Sequence, residues 1–134
     1  MIYEFQIQYV KVDGNGNDKN VKESYVTESC ETFGDVEGFA FDRFQELTGL
    51  DVVAIKRSKV HEIANYRNSE YDFVWEATIE TRYTIDEVEK VVKYKILLYA
   101  TSFDDAKSFV CNYIKQGYDM ELTSLKVTKI KDVL

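Results

Sequence analysis

The sequence predicts an α+β fold: an internally duplicated β-β-α-β unit forming a six-stranded antiparallel or mixed sheet, with two helices packed on one face. Three observations lead there. The chain matches itself without gaps over two long segments, the stretches ahead of each segment alternate polar and apolar residues, and two capped runs place apolar residues at helical spacing.

The internal match sets "FGDVEGFAFDRFQELTGLDVVAIKRSKVHEI" over "FDDAKSFVCNYIKQGYDMELTSLKVTKIKDV" at an offset of 70 residues. Phe33, Asp35, Phe39, Lys56 and Lys59 recur as Phe103, Asp105, Phe109, Lys126 and Lys129, and other positions exchange like for like, such as Ile55 for Leu125 and Glu62 for Asp132. A looser echo, "YEF" at Tyr3 and "YDF" at Tyr71, extends the match upstream. There is no proline and the join around "NYRNSE" is short, so residues 1–134 are expected to form a single domain of two fused repeats, about 1–65 and 69–134.

In the first repeat, Tyr3, Phe5, Ile7 and Tyr9 fall on one strand face at period two, and "DGNGND" is a turn leading to a second strand near Val21 to Cys30. Thr32 is the expected N-cap of a helix that carries Phe33, Val36, Ala40, Phe44 and Leu47 inward and stops at Gly49. Helical phasing also puts Arg43 on the inner stripe, with its stem buried. The strand that follows holds "AIKRSKVHEI". Val53 and Ile55 point one way there and Val60 the other, and a β-bulge near Arg57 and Ser58 reconciles them. The second repeat runs in parallel. Tyr71, Phe73, Trp75, Ala77 and Ile79 alternate along one face, "KVVKYKILLYA" is the next strand, and Ser102 caps a helix with Phe103, Ala106, Phe109, Val110 and Ile114 inward until Gly117.

Composition narrows function. A formal charge of −7 argues against generic duplex DNA or anionic membrane binding, and no uncharged run could span a bilayer. The alternating amino terminus "MIYEFQIQYVKV" does not look like a secretory signal, which suggests a cytoplasmic protein. Cys30 and Cys111 lack C-x-x-C spacing and partnering histidines, so they read as small core residues in a reducing compartment. In "DGNGND", Asp18 stands where a calcium loop needs glycine and Ser24 where it needs its bidentate glutamate, which favours a hairpin turn. With one histidine, no nucleophile motif, no phosphate loop and no metal-ligand spacing, the chain is expected not to be an enzyme and to need no cofactor.

The basic residues offer the most specific binding reading. With the bulge in place, Lys56, Lys59 and His61 share an outer face in one repeat, and Lys126, Lys129 and Lys131 share it in the other. Joined by Lys93 and Lys95, these lysines would line a groove for a single-stranded nucleic acid backbone, and Tyr66 or Tyr99 would offer a ring for stacking. Tyr83 and Tyr118 are the other tyrosines left outside the expected core. The plainer reading is a solvated strand face whose lysines protect an edge.

The order of Asn15, Gly16, Lys19, Val21, Glu23 and Tyr25, then Ile55, Lys56, Arg57, Glu62 and Ile63, then Phe103 and Ala106, then Thr123, Ser124 and the closing "T-x-I-x-D-V-L", resembles an uncharacterised domain family of Bacteroides-type bacteria and crAss-like bacteriophages. The similarity spans nearly the whole chain, although Phe39 and Phe41 make the first helix bulkier than the family pattern. It implies a small intracellular protein in a phage or mobile-element setting, with no catalytic residues to carry over. In that setting single-stranded nucleic acid is the expected partner. The alternative is a homo-oligomeric assembly or regulatory module that binds its own copies or another phage or host protein, using the edges of the first and last strands and no membrane.

Overall fold

The computed structural model describes residues 1–114 and 119–134, so the expected stop at Gly117 and the ring of Tyr118 lie outside the described residues. The chain divides into two compact units, one of Met1–Ser58 with Lys129–Leu134 and one of Lys59–Thr128. The fold is α+β, and the described residues form two helices and two four-stranded mixed sheets.

In the first unit, β1 (Tyr3–Val12) and β2 (Asp18–Thr27) form a hairpin in unbroken antiparallel register. At its turn the Asp13 carboxylate accepts the backbone N–H groups of Asn15 and Asn17, and Gly16 takes the left-handed conformation at φ 79°. Helix α1 (Phe33–Arg43) starts where Thr32 accepts the Asp35 N–H at 3.1 Å. Strand β3 (Asp51–Arg57) pairs with β1, and β8 (Ile130–Val133) pairs parallel to β2, giving the order β3-β1-β2-β8. The core forms where period two on the sheet meets period 3.6 on the helix: Tyr3, Phe5, Ile7 and Tyr25 pack against Val36 and Ala40. Phe39, Phe44 and Leu47 close its sides.

In the second unit, β5 (Phe73–Ile85) and β6 (Val88–Ala100) form a long hairpin, with β7 (Met120–Val127) beside β5 and the two-residue β4 (Glu62–Ile63) parallel to β6. The sheet order is β4-β6-β5-β7. Helix α2 (Phe103–Ile114) starts where Ser102 accepts the Asp105 N–H at 3.2 Å, and it lays Ala106 and Val110 on Trp75, Ala77, Ile79, Ile96 and Leu98. The buried Trp75 indole donates to the Ala100 carbonyl at 2.9 Å. None of the described helices is long and apolar enough to cross a membrane.

Several expectations are corrected. The sheet is not a single one of six strands, because each segment after a helix, expected to be one bulged strand, is two strands in different sheets. The conflict between Ile55 and Val60 is resolved by leaving the sheet: Ser58 still donates to the Ile2 carbonyl in the first unit, whereas the His61 N–H donates to Lys95 in the second. The bulge sits earlier, at Val53, where the register steps from Gln6 opposite Ala54 to Ile7 opposite Val52, so Val53 faces outward. The first strand is no edge, since β1 lies between β3 and β2. Phe73 is 57% exposed because it only begins β5, and Arg43 is exposed because α1 ends there, leaving Phe44 to turn inward.

Candidate functional site

The lysines of the expected basic groove are divided between the two units. Lys56, Lys129 and Lys131 belong to the first unit, and Lys59, Lys93, Lys95 and Lys126 to the second. Within the first unit Lys56 and Lys131 lie on opposite edge strands, β3 and β8. Several of these lysines have acidic partners: Lys56 lies 3.7 Å from Glu4, Lys95 lies 3.4 Å from Glu76, and Lys131 donates to Glu23. Lys126 stands opposite Glu76 in the β5–β7 register. Tyr66 is well exposed, but Tyr99 is buried and the Arg67 guanidinium stands 5.0 Å from its ring centroid, so it presents no open stacking platform.

Two carboxylates hold tyrosine hydroxyls instead. In the first unit Tyr25 donates to Glu23 at 3.0 Å, with Lys131 and Tyr9 as further donors. Burial works against the charge of Glu23, but these donors outweigh it and keep its carboxyl below the usual carboxylate range. Burial and then the neighbouring Glu23 charge push the Tyr25 hydroxyl well above the ordinary tyrosine value. In the second unit Glu62 accepts from Tyr94 at 2.6 Å and from Tyr113 at 2.9 Å. The Tyr94 hydroxyl is raised chiefly by that hydrogen bond, and Tyr113 chiefly by burial. His61 stacks on Tyr94 with ring centroids 4.9 Å apart and accepts the Lys95 N–H at Nδ1. These carboxylates are occupied in holding structure, and among the described residues no cluster of His, Cys, Asp and Glu is arranged for a metal.

The most exposed organised element is the far end of the β5–β6 hairpin. Asp86 and Glu87, at φ 52° and 67°, make a two-residue turn of the kind that matches the right-handed twist of the strands, and the register from Phe73↔Ala100 to Ile85↔Val88 never slips. Neighbouring strands stop short of this end. β7 covers β5 only from Trp75 to Thr81, and β4 pairs β6 only at Ile96 and Leu97. Residues 82–93 are exposed throughout, and Tyr83, Ile85, Val88, Val91 and Val92 are each between 40% and 57% exposed.

Backbone direction along β6 follows from the end that is covered. Lys95 and Leu97 accept the N–H groups of His61 and Ala64, and Tyr99 exchanges hydrogen bonds with the Asn65 side chain. Odd-numbered residues therefore turn their N–H and C=O groups away from β5. By the same alternation Glu89, Val91 and Lys93 do so further along, where no described strand meets them. On this face Arg82, opposite Val91, reaches Glu89 at 3.8 Å and Glu80 at 3.9 Å, at the rim of an open cleft of about 450 Å³ that Asp119, Met120 and Glu121 help to line.

The other bare edges differ. β3 and β7 each carry a bulge, at Val53 and Thr123, which breaks the even spacing an added strand needs. The bare part of β2, residues 18–23, has Val21 as its one large apolar residue. Sequence reading missed the ribbon because alternation along β5 and β6 does not say where neighbouring strands end. The valines among charges in "VEKVVK" were the available signal.

The family described as Domain of unknown function (DUF4494) matches residues 1–134. The chain belongs to that family. No curated protein and no solved structure is similar enough to count as a match. For the DUF4494 chain, function therefore rests on the geometry of its own residues.

Proposed function

We propose that the chain is a non-enzymatic protein-binding module whose working element is the bare end of the β5–β6 ribbon, to which a partner adds a strand. One observation carries this reading: Glu89, Val91 and Lys93 turn unpaired backbone groups outward along an unbulged edge, beside exposed apolar side chains. Backbone hydrogen bonds supply affinity in this mode of recognition, and the alternating side chains supply selectivity. The acidic overall charge and the occupied carboxylates of Glu23 and Glu62 are compatible with it. The nucleic-acid reading draws less support. Its lysines are divided between units, several are paired with carboxylates, and Tyr99 is buried. The cytoplasm, in a phage-associated setting, is the compartment this reading assumes.

We also infer that the 134-residue chain is one domain that arose by duplication. The two sheet orders run in parallel when β3, β1, β2 and β8 are set against β7, β5, β6 and β4. The bulges at Val53 and Thr123 stand 70 positions apart, as do the caps Thr32 and Ser102, and Tyr3 and Trp75 each meet the ring of the first helical phenylalanine edge-on.

A photo-cross-linking residue in place of Val91, activated in cells making the full chain, tests the function. Cross-links to protein that vanish when the same residue replaces Glu37 on α1 support it. Absence of any protein cross-link overturns it. So does salt-sensitive oligonucleotide binding that is lost in a folded Lys56→Glu, Lys126→Glu variant.

A further inference from the structure

The bare edge of β6 is complementary to itself. Its outward-turned residues are Glu89, Val91 and Lys93, with an apolar residue between an acid and a base. Two copies of this edge laid antiparallel about a two-fold axis at Val91 put Val91 opposite Val91, Glu89 opposite Lys93, and Lys93 opposite Glu89. All three residues present both backbone groups to the partner, so each of these pairs forms the closely hydrogen-bonded kind. The ion pairs fall on one face, and Val88 and Val92 on the other face gain apolar neighbours.

The alternative registers are poorer. A two-fold axis at Glu89, Lys90 or Lys93 sets like charges directly opposite each other. An axis at Val92 sets Val91 opposite Lys93 and Glu89 opposite Lys95, and that outer pair cannot form because His61 already occupies the edge groups of Lys95 through both its N–H and its Nδ1. His61 therefore limits how far a partner strand can extend along β6 and helps to fix the register.

Resting on the strand-addition reading above, we propose that the partner is a second copy of this chain, joined through antiparallel pairing of β6 about Val91 into a continuous sheet across the dimer. The closed two-fold arrangement uses up the exposed edge on both copies and so removes the hazard of open-ended pairing that an unbulged, valine-bearing strand edge carries.

Analytical ultracentrifugation of the full chain, across micromolar to millimolar concentration, tests this. The wild-type chain is expected to form a dimer. Lys93→Glu alone and Glu89→Lys alone, each turning both ion pairs into like-charge contacts, weaken it at least about tenfold. Glu89→Lys with Lys93→Glu in one chain restores it to within about threefold, and an equimolar mixture of the two single variants forms heterodimers. These residues are exposed, so far-UV circular dichroism of each variant is expected to match the wild type. Val91→Pro, which removes an outward N–H, is expected to abolish the dimer. A chain that stays monomeric at millimolar concentration overturns the proposal, as does a dimer indifferent to the charge reversals. If the Val91 cross-linker still captures a different protein in that case, strand addition survives and only self-pairing falls. If it captures nothing, both fall.

Discussion

Tyr25→Phe probes the carboxylate that organises the first unit. The substitution keeps the ring, which is stacked on Phe5 at 5.8 Å and packed on Phe44 at 4.8 Å, and removes only the hydroxyl that donates to Glu23 at 3.0 Å. A hydrogen bond to a charged acceptor contributes about 1.5–3 kcal/mol. Glu23 keeps Lys131 and Tyr9 and borders an open cleft, so screening reduces the expected cost to about 1–1.5 kcal/mol at neutral pH. The pH dependence follows from the direction of the Tyr25 shift. Its folded-state value is raised, so its stabilisation is complete below the unfolded tyrosine value near 10.0 and is lost as pH rises toward the folded one. Between the unfolded and the folded values the unfolded wild-type chain releases a proton that the folded chain retains, at about 1.4 kcal/mol per pH unit. The Tyr25→Phe variant has no such proton. The wild-type advantage is therefore expected to be constant from about pH 7 to 9, to vanish at about pH 11, and to reverse beyond it. Urea unfolding followed by far-UV circular dichroism at several pH values measures the difference, and ionisations common to both chains cancel. A cost that is absent at neutral pH, or that does not shrink above about pH 10, would refute the reasoning.

Further outcomes are expected elsewhere. Ile79→Ala, at a side chain 1% exposed between β5 and α2, should cost about 3–4 kcal/mol in the same denaturation assay, whereas Val53→Ala on the outward bulge should cost under about 1 kcal/mol. Gly49 has φ 66°, and a Cβ there would lie 3.1 Å from Val10 Cγ2, so Gly49→Ala should destabilise by about 2 kcal/mol. Gly16→Ala is also left-handed but has open space around it, so thermal unfolding should show the smaller loss, about 1 kcal/mol. Because His61 Nδ1 accepts the Lys95 N–H, nitrogen NMR of the neutral side chain should find the proton on Nε2; a proton on Nδ1 would contradict that hydrogen bond.

What the sequence determined by itself is local. Thr32 and Ser102 announce their helices because the capping hydroxyl lies within three residues of the N–H it satisfies. Tyr3, Phe5 and Ile7, and likewise Trp75, Ala77 and Ile79, reveal their buried face because a strand alternates whatever it pairs with. The turn at Asp13 is legible for the same reason, since its hydrogen bonds close within four residues. Arg43 marks the limit even of local reading, since phasing carried one residue too far ignores where the helix ends.

The tertiary structure decided which strands are neighbours. Nothing in "AIKRSKVHEI" says that Ile55 pairs in one sheet while Ile63 pairs in another, because a strand's face is written in its own residues and its partner is not. Glu62 meets Tyr94 and Tyr113, and Lys131 meets Glu23, across separations of 32, 51 and 108 residues that periodicity does not encode. The bare edge of β6 is of the same kind. It exists because β4 is only two residues long and begins at Glu62, opposite Ile96, so that no described strand meets the outward backbone groups of Glu89, Val91 and Lys93.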